Sequence, residues 1–121
     1  MFPDLEVTLK TIILVALVAT IFVALLVERG IAAIPKYAPP HLAAWLCIHR
    51  YEGSWTDGGA PYYGGLQMDW SFMSTYGSRL LRTKGTANHW TPHEQMWVAE
   101  RAWRTRGFWP WPNTARYCGL L

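Results

Sequence analysis

The feature that most constrains this chain is an uncharged apolar run of 17 residues from Thr11 to Val27, TIILVALVATIFVALLV. As an α-helix this run would be about 26 Å long, close to the lower limit for crossing a bilayer core of about 30 Å. The remainder of the chain is too short to surround such a helix in a soluble core. The pattern therefore predicts an N-terminal membrane anchor within residues 1–29, with Thr11 to Val27 as the span.

The segment before the run bears on whether this anchor is retained. MFPDLEVTLK carries two acids, and no clean A-x-A sequence precedes Gly30. A secretory signal peptide has a basic start and such a cleavage site. We therefore expect a retained anchor, with secretion after signal-peptide cleavage as the alternative. The positive charges on the two sides of the run are too evenly balanced to predict its orientation.

After the run the chain changes character. ERGIAAIPKYAPP contains three prolines and little periodicity, which predicts a short semi-extended linker at residues 30–40. From Glu28 to Pro40 the chain has 13 residues, and these span at most about 45 Å when fully extended. Residues 41–121 then form one small domain with all eight tryptophans, so most of the indoles must fill its core.

Only two cysteines are present, and they lie near the two ends of this domain. The positions of Cys47 and Cys118 suit one disulfide that closes the domain in an oxidising compartment, outside the cytoplasm. Two buried, unpaired thiols are the alternative. A zinc site formed with His49, His89 or His93 would lack the C-x-x-C pair that is typical of such sites, so we expect neither a metal nor a cofactor.

Local signals predict an α+β, mostly helical fold. HLAAWLCIHRYE, which follows two prolines, predicts a helix that ends at Gly53 with Trp45, Ile48 or His49, and Glu52 on one stripe. DGGAPYYGG predicts turns and one short hairpin. A short helix is expected from Met68 to Tyr76, followed by a basic, polar connection, SRLLRTKGTANH.

The clearest local motif is the capping box TPHE, with Thr91 as the N-cap and Glu94 as the third helical residue. It predicts a helix that ends at Gly107. The expected buried face of this helix consists of Met96, Val98, Ala99, Ala102 and Trp103. The tail FWPWPNTARYCGLL cannot be a regular helix through its two prolines.

Glu52 is placed where a carboxylate does not stabilise a helix. The macrodipole is already negative at a helix C-terminus, so a negative charge there is unfavourable. The residues that follow are EGSW, a glycine-rich turn and YYGGLQM. A functional role is one interpretation of this pattern, and a solvated surface glutamate is the alternative.

Three stretches carry a resemblance to a known family: YYGGLQM, HEQMWVAERAW and WPWPNTARYCG. They resemble the catalytic domain of the resuscitation-promoting factors and related transglycosylase-like proteins, which are small lysozyme-like enzymes of the bacterial wall. The similarity covers roughly His41 to Gly119. The family's catalytic glutamate precedes a G-x-W step and the YYGGLQ turn, which corresponds to Glu52. The commoner pattern is CESGGNW, whereas here Cys47 lies five positions before Glu52 and EGSW is two residues shorter.

The resemblance implies a peptidoglycan-cleaving glycosidase that acts on the MurNAc-GlcNAc β-1,4 bond with a single glutamate. It would be a lytic transglycosylase, in which the sugar's own C6 hydroxyl attacks the anomeric carbon, or a muramidase that uses water. The acid must keep its proton near neutral pH, which an apolar, aromatic pocket favours. Tyr51, Trp55 and the YYGG turn would provide these surroundings for Glu52.

Sugar binding requires aromatic platforms and a few fixed polar groups. The candidate substrate-binding residues are Trp55, Tyr62, Tyr63, Gly64, Gly65 and Gln67, with the two glycines letting a glycan approach the backbone. Asp57 and Asp69 are the nearby candidates for a second carboxylate. An Asx turn at Asp57 and a helix N-cap at Asp69 are the more ordinary explanations.

The expected partners are peptidoglycan glycan strands and, through the anchor, a membrane. Nucleic acid is not expected, because no basic cluster alternates with the aromatic residues. The sequence does not identify any partner hydrolase. Two other functions remain open: a wall-binding or signalling module with a degenerate active site, and an anchored phage-type lysin.

Overall fold

The computed structural model of the chain describes residues 3–28 and 30–121. In chain order, the helices are α1 (Pro3–Glu28), α2 (Leu42–Glu52), α3 (Trp70–Tyr76), α4 (Ser78–Lys84), a 3-10 helix (Ala87–His89), α5 (Pro92–Arg106) and α6 (Pro112–Tyr117). The described residues contain no strand, so the domain is mostly helical and the expected β component is not confirmed.

Helix α1 contains the predicted span. Its segment from Asp4 to Leu25 has a mean hydropathy of 2.4 over its most apolar window, and none of that window is buried. The helix is long and apolar enough to cross a membrane, although a signal sequence would have the same properties. The structure thus supports a candidate transmembrane helix without giving its orientation.

The two main helices of the domain have the predicted ends. Helix α2 stops before Gly53, with Trp45 and Ile48 completely buried. Helix α5 begins with the expected capping box, in which the Thr91 hydroxyl accepts from the Glu94 amide and the Glu94 carboxylate accepts from the Thr91 amide. Its C-terminal residue is followed by Gly107 at φ 56°, in the left-handed region that glycine adopts readily. On the predicted buried face, Met96, Val98, Ala99 and Ala102 are buried and Trp103 is half-buried.

The predicted hairpin around YYGGLQM is only a single antiparallel bridge between Tyr63 and Met68. Each of these two residues donates its amide to the other's carbonyl over 2.9 Å. The next pair outward would be Pro61 and Trp70. That pair cannot form because Pro61 has no amide hydrogen and Trp70 already begins α3. The missing β component is thus a consequence of the residues that flank the turn.

The polar connection after Tyr76 is more helical than predicted, because it contains α4 and the 3-10 helix. Only Gly77 separates α4 from α3, and a Cβ at this position would lie 2.7 Å from the ring of Trp90. Leu80 of α4 is buried in the same core. Burial of this face stabilises a helix that its own polar sequence did not indicate. Helix α3 itself starts two residues later than expected, since Asp69 is its N-cap.

Cys47 and Cys118 form the predicted disulfide, with Cα atoms 6.0 Å apart and 71 positions between them in sequence. The bond joins α2 to the residue that follows α6. The closing segment FWPWPNTARYCGLL contains α6, which begins at its second proline. Proline is well suited to the first helical position, where its missing amide would have no partner. The disulfide therefore holds a short helix against the end of α2.

The predicted linker is docked on α5 over much of its length. The Arg101 guanidinium donates to the carbonyls of Gly30 over 3.2 Å and Ala32 over 2.7 Å. Further along, the indole N–H of Trp97 donates to the Tyr37 carbonyl over 2.9 Å, and His93 donates to the Pro35 carbonyl. The reach of about 45 Å expected for a free, extended segment is not available while these bonds hold.

Arg101 is the central contact of the docked segment. Its burial lowers the pKa of the guanidinium to about 10, and the nearby cations Arg104 and Arg79 add to the effect. Its Nη1 also donates to the Tyr76 carbonyl over 3.0 Å, at the end of α3. One side chain thus joins α5, the end of α3 and the start of the segment that follows α1.

We expect Arg101→Met to loosen the start of the docked segment, because the carbonyls of Ala32 and Tyr76 lose their side-chain donor. The Gly30 carbonyl keeps the Arg79 amide as a donor over 3.3 Å. Leaving buried carbonyls unpaired costs roughly 1 to 3 kcal/mol. Cleavage by trypsin after Lys36 in the full chain should then be faster, since proteolysis follows the population of the open segment. The increase should be only several-fold, because His93 and Trp97 still bind the carbonyls of Pro35 and Tyr37. Arg82→Met is the control, because Arg82 is exposed on α4. Equal cleavage rates in the wild type and Arg101→Met would contradict the docking.

Candidate active site

The carboxylate of Glu52 lies half-buried at the last residue of α2. Its Oε1 accepts a hydrogen bond of 2.8 Å from the hydroxyl of Thr114. Its Oε2 has no hydrogen-bond partner in the part of the chain that the structure describes. A proton on this carboxyl group would therefore reside on Oε2, because Oε1 already accepts a hydrogen. This arrangement leaves one oxygen available to exchange a proton with a ligand.

Thr114 was not predicted as a site residue, and nothing in the local sequence indicates it. It is 62 positions from Glu52 and lies on α6. Its position follows from two features of that helix: Pro112 begins it, and the Cys47–Cys118 disulfide fixes its end to α2. Thr114 is buried, and its hydroxyl lies 2.8 Å from Glu52 Oε1 but 3.4 Å from the Trp111 carbonyl, so the bond to Glu52 is the shorter of the two. The disulfide therefore supports the hydrogen bond to Glu52 as well as the fold.

Gln67 and Asp57 lie next to the end of α2. The Gln67 amide nitrogen donates to Asp57 Oδ2 over 2.8 Å and to the Gly64 carbonyl over 3.0 Å. A Cβ at Gly53 would be 3.1 Å from this amide nitrogen and 3.4 Å from Asp57 Oδ2. The residue after Glu52 therefore faces the Gln67–Asp57 pair. The structure brings the predicted acid and the predicted polar binding residue to one place.

The two nearby aspartates have the ordinary roles predicted for them. Asp57 Oδ1 accepts from the Gly59 amide over 3.0 Å, which is an Asx turn, and Asp69 caps α3 through the Phe72 amide over 2.7 Å. The hydrogen bond from Gly59 lowers the pKa of Asp57, and the bond from Gln67 adds to the effect. Asp57 is therefore an anion near neutral pH and does not supply a proton.

The two glycines of the YYGG turn are buried, and the close approach at these positions comes from the protein's own side chains. A Cβ at Gly65 would collide with Trp55 and with His49, and a Cβ at Gly64 would collide with the Gln95 amide oxygen. Gly64 also has φ 75°, which disfavours other residues. Packing within the protein thus accounts for both glycines.

Gln95 fixes this turn in place and was not singled out from the sequence. Its amide oxygen accepts from the Gly65 amide over 2.8 Å. Its amide nitrogen donates to the carbonyls of Trp55 and Ala87 over 2.8 Å and of Trp90 over 3.0 Å. The sequence did contain an indication that Gln95 is buried, because Gln95 lies four positions before Ala99 on the predicted apolar face of the helix. A polar side chain on an apolar face must find partners when it is buried.

The predicted aromatic platforms differ in exposure. Trp55 is half-buried and stacks on His49, with ring centroids 3.8 Å apart and 19° between the ring planes. Tyr63 is half-buried and packs against the core, whereas Tyr62 is 50% exposed. Trp70 and Trp109, which the sequence reasoning assigned to no role, are each 63% exposed. Tyr51, which directly precedes Glu52, is also exposed, and its ring packs against that of exposed Tyr117 with centroids 5.7 Å apart.

A groove of about 290 Å³ lies beside the Glu52 site. Tyr62 and Gln67 line it together with Asp69, Arg106 and Trp111. Glu52 does not line the groove. The two are adjacent through Trp111, which lines the groove and whose carbonyl lies 3.4 Å from the Thr114 hydroxyl that donates to Glu52. Gln67 also lines the groove, and its amide lies beside Gly53, the residue that follows α2.

Within the described residues, no three His, Cys, Asp or Glu side chains form a group that could hold a metal ion. No protein-family model matches the chain, and no curated protein matches it. A functional assignment therefore depends on the motifs and on the geometry of this site.

Proposed function

We propose that this chain is a membrane-anchored, lysozyme-like enzyme that cleaves peptidoglycan at the MurNAc-GlcNAc β-1,4 bond. Glu52 is the general acid and then the general base. The observation that carries the proposal is the Glu52 carboxylate at the end of α2, which has one oxygen held by Thr114 and the other without a partner among the described residues. The resemblance of YYGGLQM and HEQMWVAERAW to the transglycosylase-like family supports the same function.

The proposed reaction needs only one proton donor. Glu52 gives the proton on Oε2 to the glycosidic oxygen as the bond from that oxygen to the anomeric carbon breaks. The C6 hydroxyl of the same sugar then attacks the anomeric carbon, and the Glu52 carboxylate accepts the proton of that hydroxyl. The products are a 1,6-anhydro end and a new sugar hydroxyl. If water attacks instead, the product is an ordinary reducing end.

The neighbouring groups have separate supporting roles in this proposal. Thr114 sets which oxygen of Glu52 carries the proton. Gln67 presents its amide oxygen to sugar hydroxyls, because its amide nitrogen is occupied by Asp57 and Gly64. Asp57 stays ionised and adds negative charge near the positive charge that develops on the sugar ring.

Incubation of the full chain in detergent with purified glycan strands tests this function. We expect soluble fragments to be released, and mass spectrometry distinguishes the two routes, because an anhydro product lacks one water relative to a hydrolysis product. Binding of strands without any fragment release would support the alternative of a wall-binding or signalling module. No binding and no release would reject both functions.

We also propose that the domain lies outside the cytoplasm and that α1 keeps it at the membrane. The Cys47–Cys118 disulfide supports an oxidising compartment. The docked linker supports a site that works close to the bilayer, because Arg101 holds residues 30 and 32. The substrate would then be newly made or membrane-proximal glycan. An anchored phage-type lysin would share this placement.

Thr114→Val should reduce kcat by up to about tenfold and leave KM nearly unchanged. Valine keeps the shape of threonine but removes the hydrogen bond that positions the catalytic carboxyl group, and such a bond contributes about 0.5 to 1.5 kcal/mol. Thr114→Ser keeps the hydroxyl and should restore most of the rate. Steady-state kinetics on glycan strands, with thermal melts of each variant, provide the measurement. Full kcat in a folded Thr114→Val chain would show that Thr114 does not position Glu52.

A further inference from the structure

The groove beside the Glu52 site contains a cation that the protein itself does not use. Arg106, in the last turn of α5, lines the groove and is exposed. Its guanidinium makes no hydrogen bond or ion pair with any residue that the structure describes. By contrast, Arg101 on the same helix is buried and donates to three carbonyls. Arg106 is therefore available to a ligand in a way that Arg101 is not.

The groove also contains one carboxylate, and this limits what can bind there. Asp69 lines the groove, and its Oδ1 is already engaged with the Phe72 amide. One negative and one positive side chain in the same groove disfavour a polyanion such as a phosphate-rich polymer. They suit a ligand that presents a carboxylate together with amide or ammonium groups. A peptide has this combination.

We propose that this groove binds the peptide branch of a glycan strand, with Arg106 pairing a branch carboxylate. The proposal rests on the proposed function, since it takes the branch to be attached to the strand that Glu52 cleaves. Trp111 connects the two sites, because it lines the groove and its carbonyl lies 3.4 Å from the Thr114 hydroxyl that donates to Glu52. A guanidinium matches a carboxylate with two parallel hydrogen bonds, which gives direction as well as attraction.

The test compares intact strands with strands whose carboxylates have been converted to amides. These two probes have nearly the same size and differ in charge. For the wild-type chain, amidation should raise KM about tenfold, because a charge-assisted hydrogen bond is lost. Arg106→Gln should have the same KM for both probes, equal to that of the wild type for amidated strands. Arg106→Lys should keep part of the preference for intact strands. The preference should also decrease with ionic strength, as expected for an exposed pair.

Arg104→Gln is the matched control, because Arg104 is an exposed arginine on the same helix that does not line the groove. This variant should keep the wild-type preference for carboxylates. Equal KM values of the wild-type chain for intact and amidated strands would overturn the proposal while leaving cleavage, and thus the proposed function, in place. A preference for intact over amidated strands that persists in Arg106→Gln would also overturn the proposal.

The affinity of Glu52→Gln for the two kinds of strand tests the peptide site independently of glycan cleavage. This variant should still bind intact strands about tenfold more tightly than amidated strands, because Arg106 is unchanged. If the wild type cleaves no strand but this Arg106-dependent difference is present, the peptide site stands and the enzymatic function fails. If the difference is absent from Glu52→Gln as well, the peptide site is rejected.

Discussion

Glu52→Gln should remove nearly all glycan cleavage while leaving the fold intact. Glutamine has the shape of glutamate, and its amide oxygen can still accept from the Thr114 hydroxyl, as Oε1 of Glu52 does over 2.8 Å. It has no acidic proton to donate. Proton donation by a positioned side chain contributes about 10²- to 10⁴-fold in rate, and neither Asp57 nor Asp69 is a substitute donor. We therefore expect a fall of this size in fragment release from glycan strands.

The measurement is release of soluble fragments by the full chain in detergent, with binding of intact strands measured in parallel. Glu6→Gln makes the same chemical change on α1, where Glu6 is exposed and paired only with Lys10, and it should keep full activity. Binding should be preserved in Glu52→Gln. Turnover like that of the wild type in a folded Glu52→Gln chain would end the assignment of Glu52 as the acid.

Loss of the Cys47–Cys118 disulfide should have the largest effect on stability. The bond closes a segment with 71 positions between its ends, and the chain-entropy treatment of such a loop gives about 4 kcal/mol. For a domain of this size that corresponds to a fall in Tm of roughly 15 to 30 °C. Activity should fall as well, because α6 carries Thr114 and is joined to α2 by this bond.

Tryptophan fluorescence during heating provides the measurement, since all eight tryptophans lie in residues 41–121 and none lies in α1. Addition of a reductant to the wild-type chain should lower its Tm to that of a Cys47→Ala/Cys118→Ala double variant. The double variant should not respond to reductant. A Tm that is unchanged on reduction would show that helix packing alone holds α6 against α2.

The short-range features of the domain were accessible from the sequence, because each depends on contacts between residues a few positions apart. The capping box of Thr91 and Glu94 joins residues three positions apart. The ends of α2 and α5 follow from Gly53 and Gly107 in the same way. The Asx turn and the N-cap at the two aspartates are also local. The disulfide is the exception, since it spans the domain and was predictable only because the chain has two cysteines.

The features that the sequence did not reveal all depend on packing between distant segments. Helix α4 is stabilised by burial of Leu80 in the core, although its sequence is polar and basic. The segment after α1 was expected to be extended, but Arg101 holds it through bonds to residues about 70 positions earlier. In both cases the local sequence indicates one conformation, and the free energy of long-range contacts favours another.

The residues of the candidate site likewise fall into those that local sequence indicated and those that only tertiary packing brought together. The sequence by itself placed Glu52 at the end of a helix and identified the glycine-rich turn and Gln67, because helix periodicity and turn residues are local properties. Only the tertiary structure placed the Thr114 hydroxyl on Glu52 from 62 positions away. It also placed Arg106 in a groove, where no residue of the described ranges 3–28 and 30–121 pairs with its guanidinium. Hydrogen bonds between distant side chains exist only after the helices have packed, so no pattern within either segment encodes them.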